Sequence, residues 1–304
     1  MSPGLEALPW RGPGPGRPDD LRLPPGRRLR LRRAGTTRKR WRYLGAFSDE
    51  LMLCAARVKV GPATQTFWAL YDRGEGRLVE RTVNLLPGAR GEVWSEDGEG
   101  HGVTFADNGG TLVRIEAKHP DAGAVSCSMR SGSSVWVESV CPNGAGAYVW
   151  TRKRIVPVTC DVRIGDRRLE LEATGIEDES AGYHPRRTVW NWSAGVGRLT
   201  DGRAVGWNLV EGVNDPPEHS ERAIWVDGRP SEPAPVEFDG LEAVRFSEGS
   251  RLEFAAEAER VANEDRRLVR VSYRQPFGTF AGTLPGGLEL ERGFGVMEHQ
   301  DALW

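Results

Sequence analysis

The chain has 304 residues, 38% of them hydrophobic, and 43 acidic residues against 41 basic ones give a formal net charge of −2. That length holds two domains of ordinary size or one large all-β unit, and the near-neutral charge excludes a global field that would recruit nucleic acid or an anionic membrane. Only four of the basic residues are lysines, and with 38 Gly and 20 Pro the arginine bias suggests a GC-rich bacterial genome.

Residues 1–37 carry seven prolines among Gly and Arg, with neither helical nor strand periodicity. This composition predicts a flexible or wrapped arm. No signal-type apolar run and no stretch of about eighteen apolar residues occurs. Cys54, Cys127, Cys141 and Cys160 are scattered without a CxxC pair. The expectation is a soluble, cytoplasmic protein with reduced thiols and no metal site. From Trp41 onward, short apolar alternations are broken by Gly, Asp and Asn about every ten residues, the spacing of antiparallel β. Strands are predicted over 51–60, 66–71, 102–105, 112–117, 134–140, 147–154 and 169–173, then 188–195, 203–211, 223–226, 243–246, 251–255, 268–273 and 279–284. Asp107-Asn108-Gly109-Gly110, Asp201-Gly202 and Asp227-Gly228 supply turns between them. The stretch 257–266 suits either one short helix or a long polar hairpin.

Two segments echo one another at an offset of about 140 residues. VTFADNGGTLVRIEA from Val103 resembles VRFSEGSRLEFAAEA from Val244, and FWALYD with Trp68 resembles GWNLVEG with Trp207. The shared offset points to an internal duplication, each half having the size of one up-and-down β-barrel.

The densest run of rare residues lies between Gly182 and Asp215: GYHPRRTVWNW, then SAGVGRLTDGRAVGWNLVEGVND. Two strands joined at Asp201-Gly202 are expected to gather Trp190, Trp192 and Trp207 in one aromatic neighbourhood, close to His184, Arg186, Asn191, Asn208 and Glu211. Trp190 and Trp192 stand two apart and so share a face. Tyr183, Trp190, Trp192, Trp207, Asn208, Gln275, Phe277 and Glu298 are the expected ligand-lining residues, an aromatic wall with a few polar groups. Glu211, Asp215, Asp178 and His184 are the candidate acids and bases, because a carboxyl in an aromatic pocket or a histidine at the barrel rim suits proton transfer. Glu211 shares a strand face with Trp207 and Leu209. Its plainer alternative is an ion pair with Arg222 or Arg187, and for the tryptophans the plainer alternative is core packing. No glycine-rich phosphate loop occurs, and no cofactor is expected.

The segments GYHPRRTVWNW, DGRAVGWNLVEGVND, IWVDG, QPFGTFAG and GFGVMEHQDALW resemble domain of unknown function family 2804. The likeness covers Trp41 to Trp304 and is related, more distantly, to the lipocalin-like superfamily of carotenoid 1,2-hydratases and fungal decalin-forming cyclases. The resemblance implies an all-β chain of two side-by-side lipocalin-like antiparallel barrels. Their expected bounds are 38–173 and 174–304, after an arm over 1–37, and the second barrel carries the family signature. No catalytic residue carries over from the resemblance.

The leading expectation is a protein that encloses a small hydrophobic or amphipathic molecule, lipid or terpenoid-like. The alternatives are a cofactor-independent hydratase, isomerase or cyclase acting on an isoprenoid or polyene, and a carbohydrate-active protein. Partners other than the small ligand are not expected: no nucleic acid and no membrane span. Oligomeric state is left open.

Overall fold

The computed structural model describes residues 3–13, 15–85, 103–107, 110–144, 146–266 and 269–303. The Asn108-Gly109 turn tip and the strand positions Gly102 and Leu268 lie outside them. Among the described residues, one four-residue helix, Pro3–Glu6, precedes elements that are all β-strands. Near the start lie β1 (Trp10–Gly12), β2 (Arg32–Arg33) and β3 (Thr36–Thr37). Then come β4 (Lys39–Phe47), β5 (Leu51–Val60), β6 (Ala63–Asp72), β7 (Arg77–Leu85), β8 (Val103–Asp107), β9 (Thr111–His119), β10 (Gly123–Ser131), β11 (Val137–Pro142), β12 (Tyr148–Ile164) and β13 (Arg167–Gly182). The last group is β14 (Arg187–Leu199), β15 (Ala204–Glu211), β16 (Ala223–Val226), β17 (Arg229–Ser231), β18 (Val236–Asp239), β19 (Ala243–Phe246), β20 (Arg251–Arg266), β21 (Val269–Leu284) and β22 (Leu288–Leu303).

These strands form two large antiparallel sheets with the same wiring. The first runs β7-β6-β5-β4-β13-β12-β10-β9-β8, with β11 and β1 branching from β12; the second runs β17-β16-β15-β14-β22-β21-β20-β19-β18. Each is two meanders joined where the first strand of one pairs with the last strand of the other. The two sequence echoes fall on strands at different places in this wiring, β8–β9 against β19–β20 and β6 against β15. The 257–266 stretch, open between helix and hairpin in sequence, is strand. It continues β20 past a bulge at Ala256/Ala258 and pairs with β21. Asp227 and Gly228, with φ of 47° and 76°, make the two-residue turn between β16 and β17, which requires two positive φ angles.

The chain divides into two compact units, one of 39–134 with 154–179, the other of 1–38, 135–153 and 180–304. In the first, an apolar core of Leu44, Ala55, Trp68, Phe105, Val113, Met129, Val156 and neighbours lines one face of the sheet. In the second, Trp207, Leu209, Phe246, Phe254, Phe280 and Met297 do the same. The proline-rich residues 1–38 are wrapped into that second unit. Leu21, Leu23 and Leu29 are each 2% exposed, Trp10 pairs in register with Val140, and Arg17 holds Glu138.

Candidate functional site

The pairing of β14 with β15 decides what the tryptophans do. Across the Asp201-Gly202 turn Trp192 lies opposite Val210, while Trp207 lies opposite Gly195. Side chains alternate faces along a strand, so Trp190 and Trp192 point to one side of the sheet and Trp207 to the other. The single aromatic neighbourhood expected from sequence is therefore two. The indole of Trp207 is fully buried in the core, packed edge-on to Phe280 at 4.9 Å between ring centroids. Its seat is a glycine trough: a Cβ built on Gly195 would stand 2.2 Å from the Trp207 ring. The inward face of the second sheet is thus filled by its own side chains.

The opposite face carries a different arrangement. Glu298 lies directly across from Trp192 on the neighbouring strand β22, and its carboxylate gathers three donors. Trp190 Nε1 donates to Oε1 at 2.7 Å, and Tyr273 Oη and Gln275 Nε2 donate to Oε2 at 2.6 and 3.0 Å. The strand period explains the convergence: Tyr273, Gln275 and Phe277 share one face of β21, and Arg260 and Ala262 of β20 lie opposite Gln275 and Tyr273. The Arg260 guanidinium carbon sits 4.8 Å from the centre of the Tyr273 ring, a cation–π distance. Gln275 and Phe277 are fully buried. Tyr273 and Gln300 are 6% exposed, Glu298 is 8% exposed, and Trp190 is half-buried.

Around this centre the other expected residues separate. Trp192 donates to Asn208 Oδ1 at 2.8 Å, and Asn208 donates onward to the Glu221 carbonyl. Glu221 itself pairs with the buried Lys153 at 3.4 Å. Glu211 is on the Trp207 face and accepts from Asn191 Nδ2 at 2.9 Å, while the other end of that amide meets His299 Nδ1 at 2.8 Å. Asp215 is bound by the fully buried Arg222, the ion pair that sequence offered to Glu211. Arg187 pairs with Asp301. Tyr183 gives its hydroxyl to the Arg30 carbonyl at 3.0 Å. His184, expected at a solvated rim, is 1% exposed. Asp178 is buried in β13, within the other compact unit. Sequence reading singled out Glu298, Trp190 and Gln275 separately, but not Tyr273 or Arg260. The available signal for Tyr273 was its place two residues before Gln275, which puts both on one strand face.

The arrangement can bind and move a proton. A ligand hydroxyl or water presented to Tyr273 Oη gives its hydrogen to the phenol oxygen as the phenol hydrogen passes to Glu298. The reverse transfer returns it.

The family model described as Domain of unknown function (DUF2804) matches residues 25–304. No curated protein matches the chain. Kievitone hydratase from Nectria haematococca superposes at a TM-score of 0.55 and 12% identity, over 88% of this chain and 89% of that one. A putative AttH from Nitrosomonas europaea has a TM-score of 0.46 at 12% identity, over 92% of this chain and 98% of its own. CghA has a TM-score of 0.45 at 12% identity, over 88% of each chain. The first of these likenesses shows a shared lipocalin-like fold.

Proposed function

The chain belongs to the DUF2804 family, whose description states no activity, and we propose its function from the site: it holds a small hydrophobic or amphipathic molecule against the Trp190–Tyr273–Glu298 face and transfers a proton on it without a cofactor. The observation that carries this reading is the Glu298 carboxylate, on which an indole, a phenol and an amide converge within 3.0 Å, beside the half-buried Trp190. Addition of water to a polarised double bond, or its reversal, is the reaction class that such a couple suits: Tyr273 and Glu298 take the proton from water as its oxygen bonds to carbon, and a proton from the same pair or from solvent completes the adjacent carbon. The hydratase among the structural neighbours agrees with this class at the level of fold only. Four free, buried cysteines support a reducing, cytoplasmic setting.

Native mass spectrometry of protein from its own host, followed by turnover of the retained molecule and of an isoprenoid and enone panel, tests the reading. Glu298→Gln and Tyr273→Phe are expected to keep the bound molecule and each to lose at least a hundredfold in turnover. Full activity in both variants rejects the proton-transfer role. Absence of any bound or binding molecule rejects the whole reading.

A further inference from the structure

The face that carries Glu298 holds one more polar side chain. Gln300 on β22 lies directly opposite Trp190 on β14 and directly opposite Tyr273 on β21. Its position therefore falls between the residues whose indole and phenol both donate to Glu298. It stands two residues from Glu298 and so projects from the same strand face. Gln300 is 6% exposed, yet its amide forms no hydrogen bond among the described residues. Buried amides are nearly always bonded, and one left bare costs more than an ordinary hydrogen bond returns. The donors on either side of it are already engaged: an indole and a phenol carry one hydrogen each, and Glu298 accepts both. Gln275 directs its Nε2 to the same carboxylate at 3.0 Å. Gln300 Nε2 is thus a neutral donor beside the proton-transfer couple that the couple itself does not use.

We propose, resting on the proton-transfer reading above, that Gln300 selects the substrate by its oxygen: Nε2 donates to the carbonyl of a conjugated enone whose double bond lies at the Tyr273–Glu298 couple. The water oxygen bonds to the β-carbon as its proton passes to that couple. The electron pair of the carbon–carbon double bond moves to the carbonyl oxygen, giving an enolate, and a proton returned to the α-carbon restores the carbonyl, so that water and enone become a β-hydroxy ketone. Gln300 holds the oxygen on which negative charge grows, and its hydrogen bond is stronger in the transition state than in the bound ground state. An isolated alkene presents no such oxygen and leaves the amide bare. Water serves the amide as well as a carbonyl does, but water does not make the protein distinguish a ketone from a hydrocarbon.

That distinction is the test. The full-length protein is titrated calorimetrically with β-ionone, a conjugated isoprenoid ketone, and with the hydrocarbon of the same skeleton that has a methylene in place of the carbonyl. Water addition to β-ionone is followed by loss of its conjugated absorbance. The wild-type protein is expected to bind the ketone roughly tenfold or more tightly than the hydrocarbon. Gln300→Met, of similar length and without a donor, is expected to bind the hydrocarbon as the wild type does, to lose the preference, and to turn over the ketone roughly a hundredfold more slowly. Gln300→Leu gives the same measurement where circular dichroism shows the methionine variant unfolded. Glu298→Gln is expected to keep the preference and lose the turnover. Undiminished turnover in Glu298→Gln rejects the proton-transfer reading, whereas an equal preference for the ketone in the wild type and the Gln300 variants rejects the carbonyl contact alone. A wild-type protein that binds neither probe, or both equally, also overturns the proposal.

Discussion

The two sheets share a strand order yet fill their inward faces differently. In the second, Trp207, Leu209, Phe280 and Met297 close the face with apolar side chains, and the polar groups gather on the other side around Glu298. In the first, the apolar layer gives way toward one end on strand after strand: Leu44 to Arg42, Ala55 to Arg57, Trp68 to Thr66, Phe105 to Asp107, Met129 to Ser131, Val156 to Arg154. At that end Glu177 accepts from Arg154 Nε at 2.8 Å and from the Ser131 hydroxyl, and Arg42 donates to Thr111 at 2.7 Å. Burial alone would lower the Arg42 guanidinium, but Glu179 and Asp107 outweigh it and hold it above its ordinary value. The wiring needs one continuous apolar layer per sheet to drive its folding. Beyond that layer each face is available for polar chemistry, and the two sheets have spent the freedom in different places.

Three tests break or sharpen this contrast. The largest effect is expected from Trp207→Ala, which empties the centre of the second sheet: about 3–5 kcal/mol of stability lost, read from urea unfolding. A loss under about 1 kcal/mol means the inward face is not the packed core it looks to be. Next is Glu177→Leu in the first sheet, which strands Arg154, only 10% of whose side chain meets water. It is expected to cost about 3 kcal/mol, and the double variant with Arg154→Met is expected to recover most of it, because an apolar pair replaces a buried ion pair at little cost. If the double variant is no better than the single, the polar end is held by something other than that pair. The smallest is a pH effect confined to the first sheet, since no lysine follows Lys153 in the chain. Burial pushes Lys39 down to about 7, so between there and its usual value near 10.5 the unfolded chain binds the extra proton and stability climbs as pH rises. Lys39→Met is expected to flatten that climb, as urea midpoints at pH 7 and pH 9 would record; an identical slope in both proteins assigns it to other groups.

Much of this was legible in the sequence. The period-two alternation gave the all-β class and most strands, and the two-residue spacing put Trp190 with Trp192 on one strand face and, on the following strand, Glu211 with Trp207 on one face, as the register has them. What no local pattern could supply was register: whether Trp207 joins Trp190 or opposes it depends on where the Asp201-Gly202 turn sets the pairing, and a slip of one residue reverses the answer. The Glu298 cluster draws on β21 and β22, with Arg260 on β20, neighbours in one meander, and on β14, which joins them only through the long-range pairing of first strand with last. Gln300 was visible in the closing segment, but a polar residue between His299 and Asp301 reads as solvent-facing until the register places it between Trp190 and Tyr273.

The wrapped N-terminal segment has a consequence for how this protein can vary and be cut. Tyr148 and Tyr183, stacked edge to face at 5.5 Å, reach the segment through the main-chain carbonyls of Arg22 and Arg30. A carbonyl is the same whatever residue bears it, so those two grips tolerate drift in the arginine-rich letters of the segment while still requiring its path. Clipping by a protease between Arg30 and Arg38 is a different matter: it severs both acceptors at once from the strands that carry the two phenols.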